Sequence, residues 1–298
     1  MKRLARRPSV NPSTSALRAS STFRSPRLLV AFLALVALPS FAMSQTQNPQ
    51  DAAQLARDVF YNEVQAQLHD QSLWKFREIK EEDGKQKLLA VCQTRRGDLE
   101  RLLALNGQPL TARQQASEDL RLRKLAANSE LLRQKQKKQR EDAEQARNLM
   151  KIFPYAFTFQ FDGSHGAFTK LKFSPNPKFR PANRAALVFS RMEGSLLLDP
   201  RQKRLAEIDG RLTSEIKFGG GILGHLDKGG TFVVKQEDLG GQWEMTFLDV
   251  RMNGKAVFFK TIAVRQKEVY SKFAPLPPDI TAQQAADILQ KESSTKPL

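Results

Sequence analysis

FPYAFTFQF, residues 153–161, is the stretch on which the fold turns. Tyr155, Phe157, Phe159 and Phe161 recur at every second position, with Ala156, Thr158 and Gln160 between them. A strand sends alternate side chains to opposite faces, so this spacing predicts a half-buried strand with four aromatic rings on its buried side. Upstream the period is helical. Thr111 and Gln114 have capping-box spacing and open a helical stretch that runs to about Lys151. Its first part carries Leu120, Leu122, Leu125, Leu131 and Leu132, whereas Gln134 to Gln145 is almost wholly polar. One end can pack and the other must be solvated, with Asn128-Ser129 the natural break. Pro154 marks the change from one period to the other.

Strand signals dominate on both sides of this junction. Before it, an amphipathic helix over Gln50 to His69 precedes a meander: Ser72 to Lys80, a turn at Glu82-Asp83-Gly84, Lys85 to Gln93, then Leu99 to Leu105 ending at Asn106-Gly107. After it, Asp162-Gly163 turns the chain into Ala167 to Phe173. A Pro-rich loop and a short helix near Asn183 to Met192 follow. Strands are then expected at Ser195 to Asp199, Arg204 to Asp209, Arg211 to Phe218, Thr231 to Asp238, Trp243 to Met252 and Lys255 to Val269. Regular spacing of this kind predicts an antiparallel sheet, curled or closed. A Pro-rich tail, 274–298, holds a small helix opened by Thr281 with Gln284.

The first 44 residues read as a signal peptide. Leu28 to Leu38 is an apolar run of eleven residues, preceded by seven basic residues and no acidic one, and followed by Pro39 and small residues. Cleavage would follow Ser44 or Ala42, and the run is far short of the roughly 20 residues a bilayer span needs. The whole chain has 48 Lys and Arg against 31 Asp and Glu; without the seven leader cations, 41 against 31 leaves +10. Export to the periplasm removes nucleic acid as the partner for that charge.

Chemical motifs are sparse. The single Cys92 excludes a disulfide framework, and alternation with Leu88 and Ala90 predicts a buried, inert thiol. His69, His165 and His225 lie far apart without metal-ligand spacing. Gly219 to Gly224 satisfies GxGxxG, but Gly229-Gly230 follows too soon for a helix to present its N-terminus to a phosphate. Ser164-His165 sits in a turn, and Asp199, Glu207 and Asp209 lie near strand ends where acids face solvent. The expectation is a non-enzymatic protein without metal or cofactor.

The order of elements carries a resemblance: an exported helix, a three-strand meander, a charged helix ending in FPYAFTFQF, then EGSLLLDPRQKRLAEIDGRL, FGGGILGHLDKGGTF and a hairpin closing on Tyr270-Ser271-Lys272-Phe273. This resembles uncharacterised secreted bacterial proteins related to the LolA/LolB-like lipoprotein carriers, over roughly Asn48 to Phe273. The resemblance implies a mainly β domain over 45–273, an incomplete antiparallel β-barrel with helices across its open side, able to hold acyl chains. Tyr155, Phe157, Phe159 and Phe161 would then line an apolar groove for a lipid or a lipidated polypeptide. The basic run Lys135, Lys137, Lys138 and Arg140 would face an anionic membrane surface or an acidic partner. The alternative is an envelope scaffold with a filled core that acts through this basic helix.

Overall fold

The computed structural model describes residues 48–292, apart from 83 and 257–259. The expected signal peptide and its cleavage sites lie outside the described residues. The described residues belong to one compact unit.

Helix α1 (Pro49–His69) starts where Asn48 accepts a hydrogen bond from the Gln50 amide and Pro49 takes the first helical position. Ala52, Ala56, Val59, Phe60 and Val64 form its buried stripe. The meander follows as β1 (Trp74–Glu82), β2 (Lys85–Cys92), β3 (Leu99–Leu105) and the short β4 (Gln108–Pro109). Thr111 and Gln114 cap α2 (Ala112–Ala127) reciprocally. Asn128 ends that helix, and its side chain accepts from the Leu131 amide to open α3 (Ser129–Ala156).

Here the structure departs from the sequence expectation. Pro154 does not end α3; the helix continues to Ala156, and Tyr155 lies in its last turn rather than in the strand. A proline costs an interior helix one backbone hydrogen bond and a clash with the preceding turn. Burial of Phe153, Pro154 and Ala156 in the core holds that last turn in place.

Next come β5 (Phe157–His165), β6 (Phe168–Pro175), α4 (Arg184–Phe189) capped by Asn183, β7 (Met192–Asp199) and β8 (Arg204–Leu212). The expected break at Asp209-Gly210 is absent. Gly210 pairs with Gly194, where a Cβ would lie 1.9 Å from the Asp209 carbonyl oxygen, so these glycines admit a close strand crossing rather than a turn. The remainder is β9 (Ile216–Phe218), a 3-10 turn at Gly219–Gly221, β10 (Gly224–Leu226), β11 (Thr231–Asp238), β12 (Trp243–Ala256), β13 (Lys260–Pro275) and α5 (Ala282–Gln290).

Every pairing is antiparallel, in the order β4-β3-β2-β1-β13-β12-β11-β8-β7-β6-β5, with the β9–β10 hairpin attached through β10 to β12. The path ends at β4 and β5 without closing, so the fold is mainly β: an incomplete antiparallel barrel with helices. Those helices pack against both faces of the sheet. Leu171, Leu196, Ile208, Val234, Leu248, Glu268 and Lys80 form one cross-strand row, and the adjacent row on the opposite face ends at Ile79 and Leu88. Leu171, Leu196 and Ile208 belong to a core with α1, α4 and the end of α3. Leu88 packs against a second core built from β2, β3, α2, α5 and Leu132 of α3. Helix α3 therefore begins on one face and ends on the other.

Candidate functional site

Phe157, Phe159 and Phe161 project to the face that carries α1, where Phe159 pairs with Phe173 and Phe161 with Leu171. They do not line an open groove. The Phe153 ring lies 4.5 Å from both Phe60 and Phe157, 5.3 Å from Phe173 and 5.5 Å from Phe189, centroid to centroid. These rings fill the space beneath α1, and Phe157 and Phe159 are buried while Phe161 is half-buried. A buried ion pair clamps the helix down: Glu63, 1% exposed, accepts from the Arg204 Nε and from the Leu205 amide at 2.8 Å each. Tyr155, two residues from both Phe153 and Phe157, points away and is 62% exposed. The groove expected at these four residues is thus occupied by the protein's own aromatic core.

The same face has a second part that no described helix covers so closely. Helix α1 packs on β5 and β8, and beyond β8 the rows run outward with rising polarity. One row passes from Ile208 through Val234 and Leu248 to Glu268 and Lys80; its neighbour passes from Gly210 through Phe232 and Val250 to Gln266 and Glu82. Phe232, Val234, Leu248 and Val250 are half-buried, an apolar strip bordering charged side chains on β13 and β1. Phe76 and Tyr270, with ring centroids 5.7 Å apart, and Phe273, 5.4 Å from Phe76, continue it at the β1–β13 end. The result is a trough that is apolar on one flank and polar on the other.

The polar flank is organised around Glu268. Its carboxylate accepts from the Tyr270 hydroxyl, from Gln266 Nε2 at 2.7 Å and from Lys80 Nζ at 3.1 Å. Burial favours its neutral form, but those three donors outweigh it and hold the carboxyl below the usual range. Burial and the hydrogen bond to Glu268 raise Tyr270. Glu78 faces Tyr270 across the β1–β13 pair; burial first, then the charge of Glu268, push it up to about 7. Near neutral pH this flank therefore offers an ammonium, amide N–H groups and a carboxyl close to its titration point, a mixture suited to a polar headgroup.

The basic run is divided by the fold. Lys135 donates to the Asp98 carbonyl at 3.2 Å and to Glu100 at 2.9 Å, pinning α3 to β3 and the turn before it. Lys137 lies 3.9 Å from Glu141, within α3. Lys137, Lys138 and Arg140 are exposed, so three of the four expected cations face solvent and the fourth is structural. Asp199 caps the turn after β7 through the Arg201 and Gln202 amides, and Glu207 pairs with Lys235. Cys92 is fully buried, and burial raises its thiol to about 12.

Glu78, Lys80, Gln266, Glu268 and Tyr270 escaped sequence reading. The alternation Phe76-Glu78-Lys80 is visible in the chain, but nothing local tells whether that side or Arg77-Ile79-Glu81 meets the apolar strip. Among the described residues, no three His, Cys, Asp or Glu gather as a metal site, and no helix is long and apolar enough to cross a membrane.

No family model and no curated protein matches the chain. It is similar to a solved structure of a DUF1329 family protein from Desulfovibrio piger, at 10% identity and a TM-score of 0.27, with 80% of this chain and 99% of that chain covered.

Proposed function

We propose that this chain is an exported binding protein of the LolA/LolB-like kind, not an enzyme, and that it holds one amphiphile, a lipid or the acyl group of a lipidated polypeptide, along the uncovered trough. The observation that carries this reading is the graded row from Val234 and Leu248 to Glu268 and Lys80. An acyl chain laid on Phe232, Val234, Leu248 and Val250 gains about 0.8 kcal/mol per buried methylene. Its headgroup would meet Glu78, Lys80, Gln266 and Tyr270.

Uptake of a fluorescent fatty acid by the purified chain from Gln45 onward tests the reading, with native mass spectrometry to detect a co-purified lipid. The double substitution Leu248→Glu and Val250→Glu is expected to weaken uptake by about tenfold or more while leaving a cooperative thermal transition. Wild-type protein that takes up no fatty acid and carries no lipid would refute the carrier reading. The packed aromatic core beneath α1 favours a second reading, an envelope scaffold acting through Lys137, Lys138 and Arg140 on α3. That reading expects a partner lost when the three are replaced by Gln, with no ligand in the trough.

A further inference from the structure

The apolar surface beside the first core continues toward one end of the sheet. Phe232, Met252, Leu226 and Phe218 all pack against that core, and the chain beyond Phe218 is the glycine loop. Gly219, Gly220 and Gly221 have φ of 57°, 66° and 99°, a left-handed path open to glycine. Ile222 and Leu223 donate their amides back to Gly219 and Phe218, so the loop is a fixed turn rather than a slack one. It presents Ile222, 83% exposed, and Leu223, 38% exposed, to solvent. Val264, opposite Met252 on β13, is exposed as well.

A lone exposed isoleucine is ordinary on a protein surface. This one is different in its company. Lys217 lies beside the loop, its Cδ 3.9 Å from where a Gly221 Cβ would stand, and Lys255 of β12 pairs with His225 of β10; both lysines are exposed. Two acids share this end: Glu215 lies 3.6 Å from Lys217, and Asp227 lies 3.3 Å from His225. Among the described residues, no acid lies within ion-pair distance of Lys255. Large aliphatic side chains at a tip, with lysines beside them, suit the boundary of a bilayer, where the aliphatics enter the acyl region and the ammonium groups meet phosphate.

We infer that the glycine-loop end of the sheet docks on an anionic bilayer surface, Ile222 and Leu223 inserting and Lys217 and Lys255 contacting lipid phosphates. This extends the trough reading by placing the loading end, since Phe218, Leu226, Met252 and Phe232 join the tip to the trough. The docking itself does not require that the trough hold a ligand.

The test is flotation of the purified chain from Gln45 onward with phosphatidylglycerol vesicles at low salt, beside phosphatidylcholine vesicles. Wild-type protein is expected to float with the anionic vesicles. Ile222→Asp with Leu223→Asp, and Ile222→Asp alone in case Leu223 is needed for the turn, should weaken that binding about tenfold with an unchanged melting temperature. Fatty-acid uptake from vesicle-free solution should persist in these variants, which separates failure of the docking from failure of the trough. The inference is overturned if wild-type protein does not float with anionic vesicles, if it floats equally with neutral ones, or if the loop substitutions leave flotation unchanged.

Discussion

Phe159 and Tyr155 lie four residues apart in one aromatic series and face opposite fates. Phe159 is 2% exposed among Phe153, Phe173 and their neighbours, whereas Tyr155 ends a helix facing solvent. A carboxylate in place of Phe159 would lose the ring's packing, a term of about 3–5 kcal/mol for aromatic truncation, and would be buried without a partner. Phe159→Glu should therefore abolish cooperative folding or lower stability by at least about 4 kcal/mol, read by urea denaturation. Tyr155→Ala should move it by less than about 0.5 kcal/mol. Equal effects at the two positions would contradict the filled core.

Helix α3 joins the two cores, and its N-terminal half is held by few contacts. Lys135 and Gln136 bond to Asp98, Glu100 and Arg95, Gln139 bonds to Asp98, and Leu132 enters the second core. Between those points the helix touches the turn at Gly97, where φ is +117° and a Cβ would come within 2.9 Å of the Leu132 carbonyl oxygen. Both the backbone conformation and the close approach exclude a side chain. Gly97→Ala should cost about 1–3 kcal/mol. Amide exchange should accelerate first over Leu131 to Gln139, ahead of the strand amides of β6 and β7. Uniform acceleration across the protein would mean that α3 is not separately anchored there.

Across the whole molecule, charge and stability are coupled through carboxyls with shifted titration. Burial raises Glu78 and Glu244 to about 7 and Asp98 to about 6, with Glu268, Asp70 and Glu100 adding repulsion, respectively. A raised pKa means that the folded chain binds the proton more readily than the unfolded chain. These three groups therefore add stability as pH falls from about 7 toward the unfolded values of 4.5 and 3.8. Glu118, Glu268 and Glu292 are held low, by Arg121, by Tyr270 with Gln266 and Lys80, and by Lys75 with Arg77. Their contribution is present above 4.5 and is lost as pH falls through the folded values. The melting temperature should thus rise from pH 8 to about pH 5 and drop again below about pH 4. Glu78→Gln should raise stability at pH 8 and flatten the rise. A wild-type curve that climbs steadily from pH 5 to pH 8 would contradict these shifts.

The sequence by itself determined what depends on a few neighbouring residues. The capping boxes at Thr111 and Thr281, the helix break at Asn128, the alternation of Phe157, Phe159 and Phe161, and the buried Cys92 are read from spacings that act within one turn or one strand. Hence the antiparallel mainly β class was legible too. Only the tertiary structure decided which face each alternation meets, because that depends on partners far along the chain: Glu63 finds Arg204, and Phe60 covers Phe153. The same distant packing carried α3 past Pro154 and took Tyr155 out of its strand, and it let β8 run through Gly210. It also tied Lys135 into the fold while leaving Lys138 free in solvent, and it set Glu78, Lys80 and Glu268 beside an apolar strip from two other strands. A period states that two faces differ; what covers each face is settled by long-range register and burial, where the cost of an unpaired polar group or an exposed ring exceeds any local preference.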